Sequence, residues 1–484
     1  MKSIVFKSAT EITKLIRDRK VSCVEVVKQF LDHIEKYNKT IHAVTDIKDY
    51  NDIVLEAKTK DVLLSNGKVL GPLHGLPITV KDTFNVMGLV TSNGSPKLKR
   101  NIAVSDAELI KRLKNAGAII IGKTNLALHA LDWQLINSRF GHTNNPYNLN
   151  CVVGGSSGGS AAAIASGFTA LELGTDSGGS IRVPAHFCGV CGIRTTESAL
   201  SSKDSMETPN MPQLGRHLTS HGPLARNVGD LILAMEVLWE NDQQFLDNPP
   251  IDFKQFKYEE GKLKIAYAPT LDGLYLDEAY NEVYMSFLDK VRRSRHELVQ
   301  SQPSYSSNTL IDLWGRMTGF DLGIIKNEML LRGLTSYLSI KFKYKDTQWA
   351  RGVRQGVKSS CKDYVEALHL KEAISESFTR FFCKYDVWLT PVAMVPAFKH
   401  QKTGEPFKID GRKVPYTKAF IPFNFPSAIP GHPIVVIPIG TTKEGLPVGI
   451  QIHGRKWHDY KLLQIAKELE MLTNGFKIPE MFKP

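Results

Sequence analysis

An α/β fold, with one β-sheet layered between α-helices, is predicted by the sequence of this 484-residue chain. Short apolar segments typical of strands alternate with helical patterns before residue 235 and again after residue 386. The stretch from 240 to 385 has a mostly helical, polar pattern. Hydrophobic residues make up 42% and charged residues 23% of the chain, which is ordinary for a globular protein. Alternation of this kind packs helices onto the faces of a sheet.

Two short helices are predicted in an N-terminal arm, residues 1–65. Each begins with a capping box, in which a serine and a glutamate three residues later bind each other's backbone N–H groups. The pairs are Ser8 with Glu11 and Ser22 with Glu25. We expect the arm to pack on the main body.

Strand and helix then alternate through the predicted core. Residues 76–80 predict a short apolar strand, with Lys81 at its end. A third capping box, Ser105 with Glu108, predicts a helix that stops at Gly117, and residues 118–121 predict a buried strand. This order predicts a sheet with helices on its faces.

Glycine-rich turns follow in the same region. Residues 154–167 (GGSSGGSAAAIASG) predict a glycine loop that runs into an alanine helix, residues 168–173 predict the next strand, and a second glycine turn occupies 177–180. Residues 197–216 lack periodicity and predict a long surface loop that borders a site. The C-terminal part predicts strands at 434–439 and 448–452 and a terminal helix.

We interpret residues 1–484 as a single domain with four parts. These are the arm (1–65), a core with the catalytic residues (66–235), a largely helical substrate side (240–385), and C-terminal strands and a helix that complete the core (386–484).

The charge of the chain and its targeting signals limit which binding partners and which cellular compartment the sequence predicts. The chain carries 61 basic and 49 acidic residues, a net charge of +12. Within residues 341–362, seven basic residues (Lys341, Lys343, Lys345, Arg351, Arg354, Lys358 and Lys362) accompany one acid, Asp346. A solvated helix face is favoured, and a membrane-surface contact is the alternative. No nucleic-acid partner is expected, and a homodimer is left open.

Six scattered cysteines indicate reduced thiols. With neither a signal-peptide core nor a spanning apolar run, the chain is predicted to be cytoplasmic.

Three short motifs match functions that their surroundings do not support. Residues 117–124 satisfy the phosphate-loop pattern, but a buried strand occupies the place of the flexible loop. Residues 154–158 satisfy G-x-S-x-G without a clearly paired histidine and acid. Cys188 and Cys191 form one isolated C-x-x-C pair, which favours buried thiols over a metal site. No metal and no cofactor is predicted.

Three segments together form a much more specific pattern: ITVKD at 78–82, GGSSGGSAAA at 154–163 and GTDSGGSIRVPAHFCG at 174–189. The chain resembles the amidase signature family in these segments. The likeness extends through GAIIIGKTN, FGHTNNPYN, HGPLARNVGD, DVWLTP, GHPIVVIPIG and LPVGIQIHG, so that it covers nearly the whole chain. It implies an amidase-signature fold, with one large twisted mixed β-sheet sandwiched between layers of helices.

The resemblance also implies a Ser–Ser–Lys triad, with Ser180 as nucleophile, Ser156 as the bridging serine after a cis peptide bond, and Lys81 as the base. A serine hydroxyl needs a positioned base, and a lysine can serve only when burial lowers its pKa enough to make it neutral. The proton is then expected to move from Ser180 through Ser156 to Lys81.

Residues around the triad are assigned supporting roles. Gly178 and Gly179 allow consecutive N–H groups of residues 177–180, starting at Ser177, to converge on a developing oxyanion. Asp176 and Arg182 are expected to pair and stiffen this turn. Ser157 is expected to hold Lys81 by a hydrogen bond. The alternative role, a helix N-cap, is compatible with the same geometry.

The predicted reaction is hydrolysis of a small carboxylic amide through an acyl-enzyme on Ser180, with release of ammonia or an amine. Within the family, a glutaminase subunit of the tRNA-dependent amidotransferase and a fatty acid amide hydrolase at a membrane surface are alternatives, and a catalytically silent scaffold is a third. Residues 193–197 (IRTTE) and Val183 depart from the amidotransferase pattern, which favours a stand-alone amidase.

Overall fold

The computed structural model of the chain describes residues 3–205, 217–239, 249–323 and 347–483. Its α-helices in those residues are α1 Ala9–Arg17, α2 Cys23–Ile41, α3 Tyr50–Ser65, α4 Glu108–Asn115, α5 Gly158–Ala165, α6 Arg182–Phe187, α7 Val228–Leu238, α8 Glu278–Arg292, α9 Ser307–Gly323, α10 Thr347–Val357, α11 Cys361–Phe382, α12 Ile421–Asn424 and α13 Asp459–Glu470.

The strands of the described residues are β1 Val44–Ile47, β2 Pro77–Lys81, β3 Ile119–Thr124, β4 Ile136–Asn137, β5 Gly141–His142, β6 Asn144–Asn145, β7 Asn148–Val152, β8 Leu171–Asp176, β9 Cys191–Arg194, β10 Ser220–Ala225, β11 Lys264–Tyr267, β12 Glu297–Gln300, β13 Val387–Pro391, β14 Phe407–Ile409, β15 Arg412–Val414, β16 Ile434–Thr441 and β17 Pro447–His453.

Eight of these strands form the main sheet, in the order β12-β11-β13-β17-β16-β9-β10-β8. Strand β11 pairs in parallel with β12 and β13, and the other pairings are antiparallel. Helices α6, α7, α8 and α13 pack against this sheet. The predicted α/β class, with a large mixed sheet and surrounding helices, is confirmed.

A second sheet of three strands, in the order β1-β3-β2, carries the predicted base. Lys81 is the last residue of β2, which pairs in parallel with β3. Strand β2 packs against β8 at the edge of the main sheet. Lys81 and the segment leading to Ser180 therefore come from two sheets that meet side by side.

The two N-terminal capping boxes are confirmed, with both reciprocal hydrogen bonds present at Ser8 and Ser22. The box predicted at Ser105 is wrong. Helix α4 begins at Glu108 after Ala107, which provides no side-chain cap. The nearby Asp106 carboxylate instead accepts from the Met87 N–H at 2.8 Å, so this stretch of chain is held by a neighbouring loop.

The segment from 240 to 385, predicted to be helical, also contains two strands, β11 and β12. Each has four residues, which is too short to show a clear period-two pattern. They extend the main sheet at one edge. Strand β3 occupies the apparent phosphate loop, as the sequence predicts.

The main hydrophobic core includes buried residues from Val5 near one end of the chain to Phe482 near the other. The arm is attached to this body at its first helix, where the Ala9 and Thr10 N–H groups donate to the Asp230 carboxylate of α7 at 2.7 and 3.0 Å. A second, smaller apolar cluster around Trp314 and Phe425 lies apart from the main core.

Candidate active site

Lys81 lies fully buried at the end of β2. Its Nζ is 2.8 Å from each of three hydroxyl oxygens, those of Ser156, Ser157 and Thr175. Burial lowers the pKa of Lys81 to about 7, although the negative charge of Asp176 acts in the opposite direction. A lysine with this pKa is largely neutral slightly above pH 7 and can accept a proton.

The glycine loop places Ser156 and Ser157 against this lysine. Gly154 has a φ of +77°, and a Cβ at that position would lie 2.9 Å from the Pro184 Cα, so only glycine fits there. The peptide bond between Gly155 and Ser156 is cis. Ser157 is the N-cap residue of α5, but its hydroxyl makes no capping bond and contacts Lys81 instead.

Ser180 is the one member of the predicted triad that is not buried: it is partly exposed, whereas Lys81 and Ser156 have no exposed surface. The Ser157 N–H donates to the Ser180 carbonyl oxygen at 3.0 Å, which ties the two glycine turns together. Within the described part of the chain, no hydrogen bond joins the Ser180 and Ser156 hydroxyls. Hydrogen bonds of catalytic groups are often completed only when substrate binds.

The turn that carries Ser180 is organised around the buried Asp176 carboxylate. Arg182 donates to it through two nitrogens, at 3.0 and 2.9 Å, and Arg194 lies 3.8 Å away. Burial favours a higher pKa, but the charge and hydrogen bonds of Arg182 outweigh it and hold the pKa of Asp176 below its usual range. The structure thus contains the expected Asp176–Arg182 pair.

One of the four predicted oxyanion donors is already bound to protein. The Gly179 N–H donates to the Asp176 carboxylate at 2.8 Å, and Gly179 itself has a φ of +110°. The assignment is therefore corrected for Gly179. The N–H groups of Ser177, Gly178 and Ser180 remain the predicted donors.

Aromatic side chains surround the same turn. The Trp133 Nε1–H donates to the Gly178 carbonyl oxygen at 2.8 Å, and its ring stacks on Phe420 with centroids 5.3 Å apart. A Cβ at Gly178 would lie 2.9 Å from the Phe425 ring, which itself stacks on Trp314 at 5.0 Å. An apolar wall therefore flanks the turn that carries Ser180.

The predicted loop 197–216 is described as far as residue 205, and residues 206–216 lie outside the described part. At its start, the Glu197 carboxylate is held by Lys371 of α11, whose Nζ lies 2.6 Å from Oε2 and 2.5 Å from the His217 carbonyl oxygen. Both side chains are almost fully buried. Beyond the loop, the Thr219 hydroxyl is 2.6 Å from that of Ser177, so the segment that follows the loop contacts the turn that carries Ser180.

Sequence reasoning missed three residues at this site: Thr175, Glu172 and Trp133. Thr175 is the third hydroxyl partner of Lys81, and it directly precedes the predicted Asp176. Glu172 is a buried acid between two leucines of β8, which is a signal because a buried charge requires a partner. For Trp133, the sequence contained no signal of a role at this site other than the residue type itself.

Several other expectations can be compared with the structure. Cys188 and Cys191 are buried and form no disulfide, as predicted. An α/β-hydrolase elbow at Ser156 would need a histidine partner late in the chain, but His432 bonds the Gly454 carbonyl and His453 the Thr390 hydroxyl.

Of the basic stretch 341–362, residues 341–346 lie outside the described part of the chain. The remaining basic residues, Arg351, Arg354, Lys358 and Lys362, are exposed. None of the helices in the described ranges is both long and apolar enough to span a bilayer. Contact with a membrane surface stays an untested prediction.

Comparison with known proteins identifies the family. A family model described as Amidase matches residues 25–463, and the chain belongs to this family. The A subunit of the glutamyl-tRNA(Gln) amidotransferase of Carboxydothermus hydrogenoformans is 29% identical over 507 residues, covering 98% of this chain and 99% of the relative. The corresponding protein of Alkaliphilus metalliredigens is 31% identical over 494 residues, covering 96% of each chain.

Solved structures give the same fold. One described as an amidase has 25% sequence identity and a TM-score of 0.78, covering 97% of this chain and 100% of that chain. A 6-aminohexanoate cyclic dimer hydrolase has 21% identity and a TM-score of 0.83, with both chains fully covered. The second likeness shows the fold alone.

These relatives contradict the prediction of a stand-alone amidase rather than an amidotransferase component. That prediction relied on Val183 and on the run 193–197. In the structure Arg194 is buried and donates to the Leu218 and Ala428 carbonyl oxygens at 3.1 and 2.9 Å. Glu197 is paired with Lys371. The run thus has a packing role that the prediction did not weigh, and it is not a reliable marker of substrate.

Proposed function

We propose that this protein hydrolyses a carboxylic amide C–N bond through an acyl-enzyme on Ser180. The observation that supports this most is the environment of Lys81, a buried lysine whose pKa is lowered to about 7 and whose Nζ lies 2.8 Å from the Ser156 hydroxyl. A structural lysine would gain stability from a carboxylate partner, whereas three hydroxyl partners leave this one free to exchange a proton.

In the proposed mechanism Ser180 attacks the amide carbonyl carbon while its proton passes to Ser156 and the Ser156 proton passes to Lys81. The negative charge that develops on the carbonyl oxygen is stabilised by the N–H groups of Ser177, Gly178 and Ser180. The proton returns by the same route to the leaving nitrogen, which departs as ammonia or an amine.

Water then hydrolyses the acyl-enzyme, again with Lys81 as the ultimate base, and Ser180 is regenerated. The partial exposure of Ser180 is consistent with this step, because the ester must be reached from solvent. Burial of Ser156 and Lys81 keeps the relay away from bulk water, which would raise the lysine pKa.

Intact-mass analysis after treatment with a fluorophosphonate tests the proposal. The wild type is expected to gain one phosphonyl group, and Ser180→Ala to gain none. Ser156→Ala is expected to be labelled at least about 100-fold more slowly, in the range of a lost general base. Ser166→Ala is a matched control, because the hydroxyl of this buried serine at the end of α5 has no hydrogen-bond partner among the described residues. Labelling of Ser180→Ala would contradict the proposal.

A second candidate specifies the amide as the side-chain carboxamide of glutamine, with ammonia passed to another protein of a complex. The observation that favours it is the full-length likeness to amidotransferase A subunits. Ammonia release from glutamine should then be weak for the chain alone and should rise when companion subunits are added. If glutamine is not hydrolysed with the companions present but simple amides are hydrolysed without them, this candidate is wrong and the acyl-enzyme proposal stands.

A further inference from the structure

Glu172 is a carboxylic acid near the start of β8, and only 2% of its surface is exposed. Its Oε2 accepts a short hydrogen bond from the Thr79 hydroxyl. Its Oε1 accepts from the Thr124 hydroxyl at 2.7 Å, which in turn lies 3.0 Å from the Ser160 hydroxyl. Both carboxylate oxygens are therefore bound by hydroxyl groups of other elements.

These partners lie on the segments that carry the proposed triad. Thr79 is two residues before Lys81 on β2, so both side chains point to the same face of the strand. Ser160 is in the first turn of α5, just after Ser156. Glu172 itself is on β8, which leads into the turn of Ser180. One carboxylate thus connects β2, α5 and β8.

The charges around this group are also defined. Glu172 and Asp176 both act on Lys81 and favour its protonated form. Lys123 of β3 acts on Glu172, and its own Nζ lies 3.6 Å from the Asp82 carboxylate.

Two further groups complete the electrostatic surroundings. Asp46 of β1 acts on Lys123. Burial, with a smaller contribution from Lys81, lowers the pKa of His221 to about 4, so this neighbour is neutral at physiological pH. Glu172 and Asp176 are therefore the acids whose charge bears on Lys81.

We infer that Glu172 is a positioning residue of the active site, which holds the strand of Lys81 against the segments of Ser156 and Ser180 and favours the protonated lysine. This inference rests on the proposed acyl-enzyme function. Burial of Glu172 raises its own pKa to about 7, so its negative charge is present from neutral pH upward, where a carboxylate stabilises a nearby cation.

The direction of the expected effect follows from the sign of this interaction. Because the Glu172 carboxylate stabilises the Lys81 cation, its removal makes the lysine lose its proton more easily. The pH below which acylation of Ser180 slows should then fall. A residue that only supports the fold would lower the rate without moving this pH.

The test measures the rate constant of fluorophosphonate labelling from pH 5 to 9.5 for the wild type and for Glu172→Gln. We expect the midpoint of the acid limb to move to lower pH by about one unit in Glu172→Gln. Asp459→Asn is the matched control, because Asp459 is also a buried acid with a threonine partner, the Thr196 hydroxyl at 2.6 Å. Its midpoint should equal that of the wild type.

Two more variants distinguish the effect of the Glu172 charge from the effect of its hydrogen bonds. Thr79→Val removes a hydrogen bond and keeps the charge, so the midpoint should stay and the plateau rate should fall. Glu172→Asp keeps the charge and should retain the wild-type midpoint, and it provides a folded comparison if Glu172→Gln does not fold. An unmoved midpoint in Glu172→Gln, a midpoint that moves equally in Asp459→Asn, or a lowered midpoint in Glu172→Asp would overturn the inference. Absence of labelling in the wild type would instead refute the proposed function.

Discussion

Lowering the pH from 9 to 5 should slow acylation of Ser180 by about 100-fold through protonation of Lys81 alone. Burial lowers the pKa of this lysine from 10.5 to about 7. At pH 9 nearly every molecule then has a neutral lysine, whereas at pH 5 about one in a hundred does. The sign is fixed by the chemistry, because the form without the proton is the base, so the rate rises with pH and levels off above the pKa.

The same arithmetic shows what burial contributes. At pH 7.5 a lysine with a pKa of about 7 is neutral in about three molecules in four, whereas an exposed lysine would be neutral in about one in a thousand. The protein therefore raises the concentration of the active base by nearly three orders of magnitude, on the order of 4 kcal/mol. The free energy for this pKa shift comes from the rest of the fold, which keeps Lys81 buried away from solvent.

Labelling by a fluorophosphonate, followed by intact mass at each pH, measures this dependence without knowledge of the natural substrate. Tryptophan fluorescence at each pH verifies that the chain stays folded. Lys81→Arg is the informative control, because a guanidinium keeps its proton throughout this range, and this variant should be labelled slowly at every pH. An acid limb with a midpoint near 10, or a rate independent of pH between 5 and 9, would refute the reasoning.

Other substitutions test the parts around the triad. Lys371→Met should lower the free energy of unfolding by about 3 kcal/mol, measured by denaturant titration, because it leaves the Glu197 carboxylate buried without its partner. Adding Glu197→Gln should recover part of the loss, and equal stability of single and double variants would contradict this account. Asp176→Asn should slow labelling by about 100-fold, because the turn loses its anchoring charge. Trp133→Phe should slow labelling about fivefold, the effect of one lost hydrogen bond to the Gly178 carbonyl. An unchanged rate would show that this bond does not position the turn.

Local sequence predicted the features that depend on neighbouring residues. The capping boxes at Ser8 and Ser22 join residues three positions apart, and both are present. The same pattern at Ser105 failed, because Asp106 bonds to a loop residue 19 positions away. A capping motif determines a helix start only where no tertiary contact competes with it.

The assignment of Ser177–Ser180 as oxyanion donors shows a similar limit. A run of glycines indicates that backbone amides can approach a ligand, but it does not specify their directions. The Gly179 N–H turns toward Asp176, which the sequence placed in the same turn without indicating that contact. The two four-residue strands β11 and β12 were missed because so short a segment shows no reliable periodicity.

By itself, the sequence determined which groups can react: two serines in glycine turns 24 residues apart, a lysine at a strand end, and an acid and an arginine beside the second turn. Only the tertiary structure decided the lowered pKa that suits Lys81 to the proposed role of base. Its pKa depends on burial, and its hydroxyl partners lie 75, 76 and 94 residues away along the chain. Two of these partners come from the glycine loop before α5 and the third from a strand of the other sheet. Desolvation is a property of the assembled core, and no local pattern around a lysine specifies it.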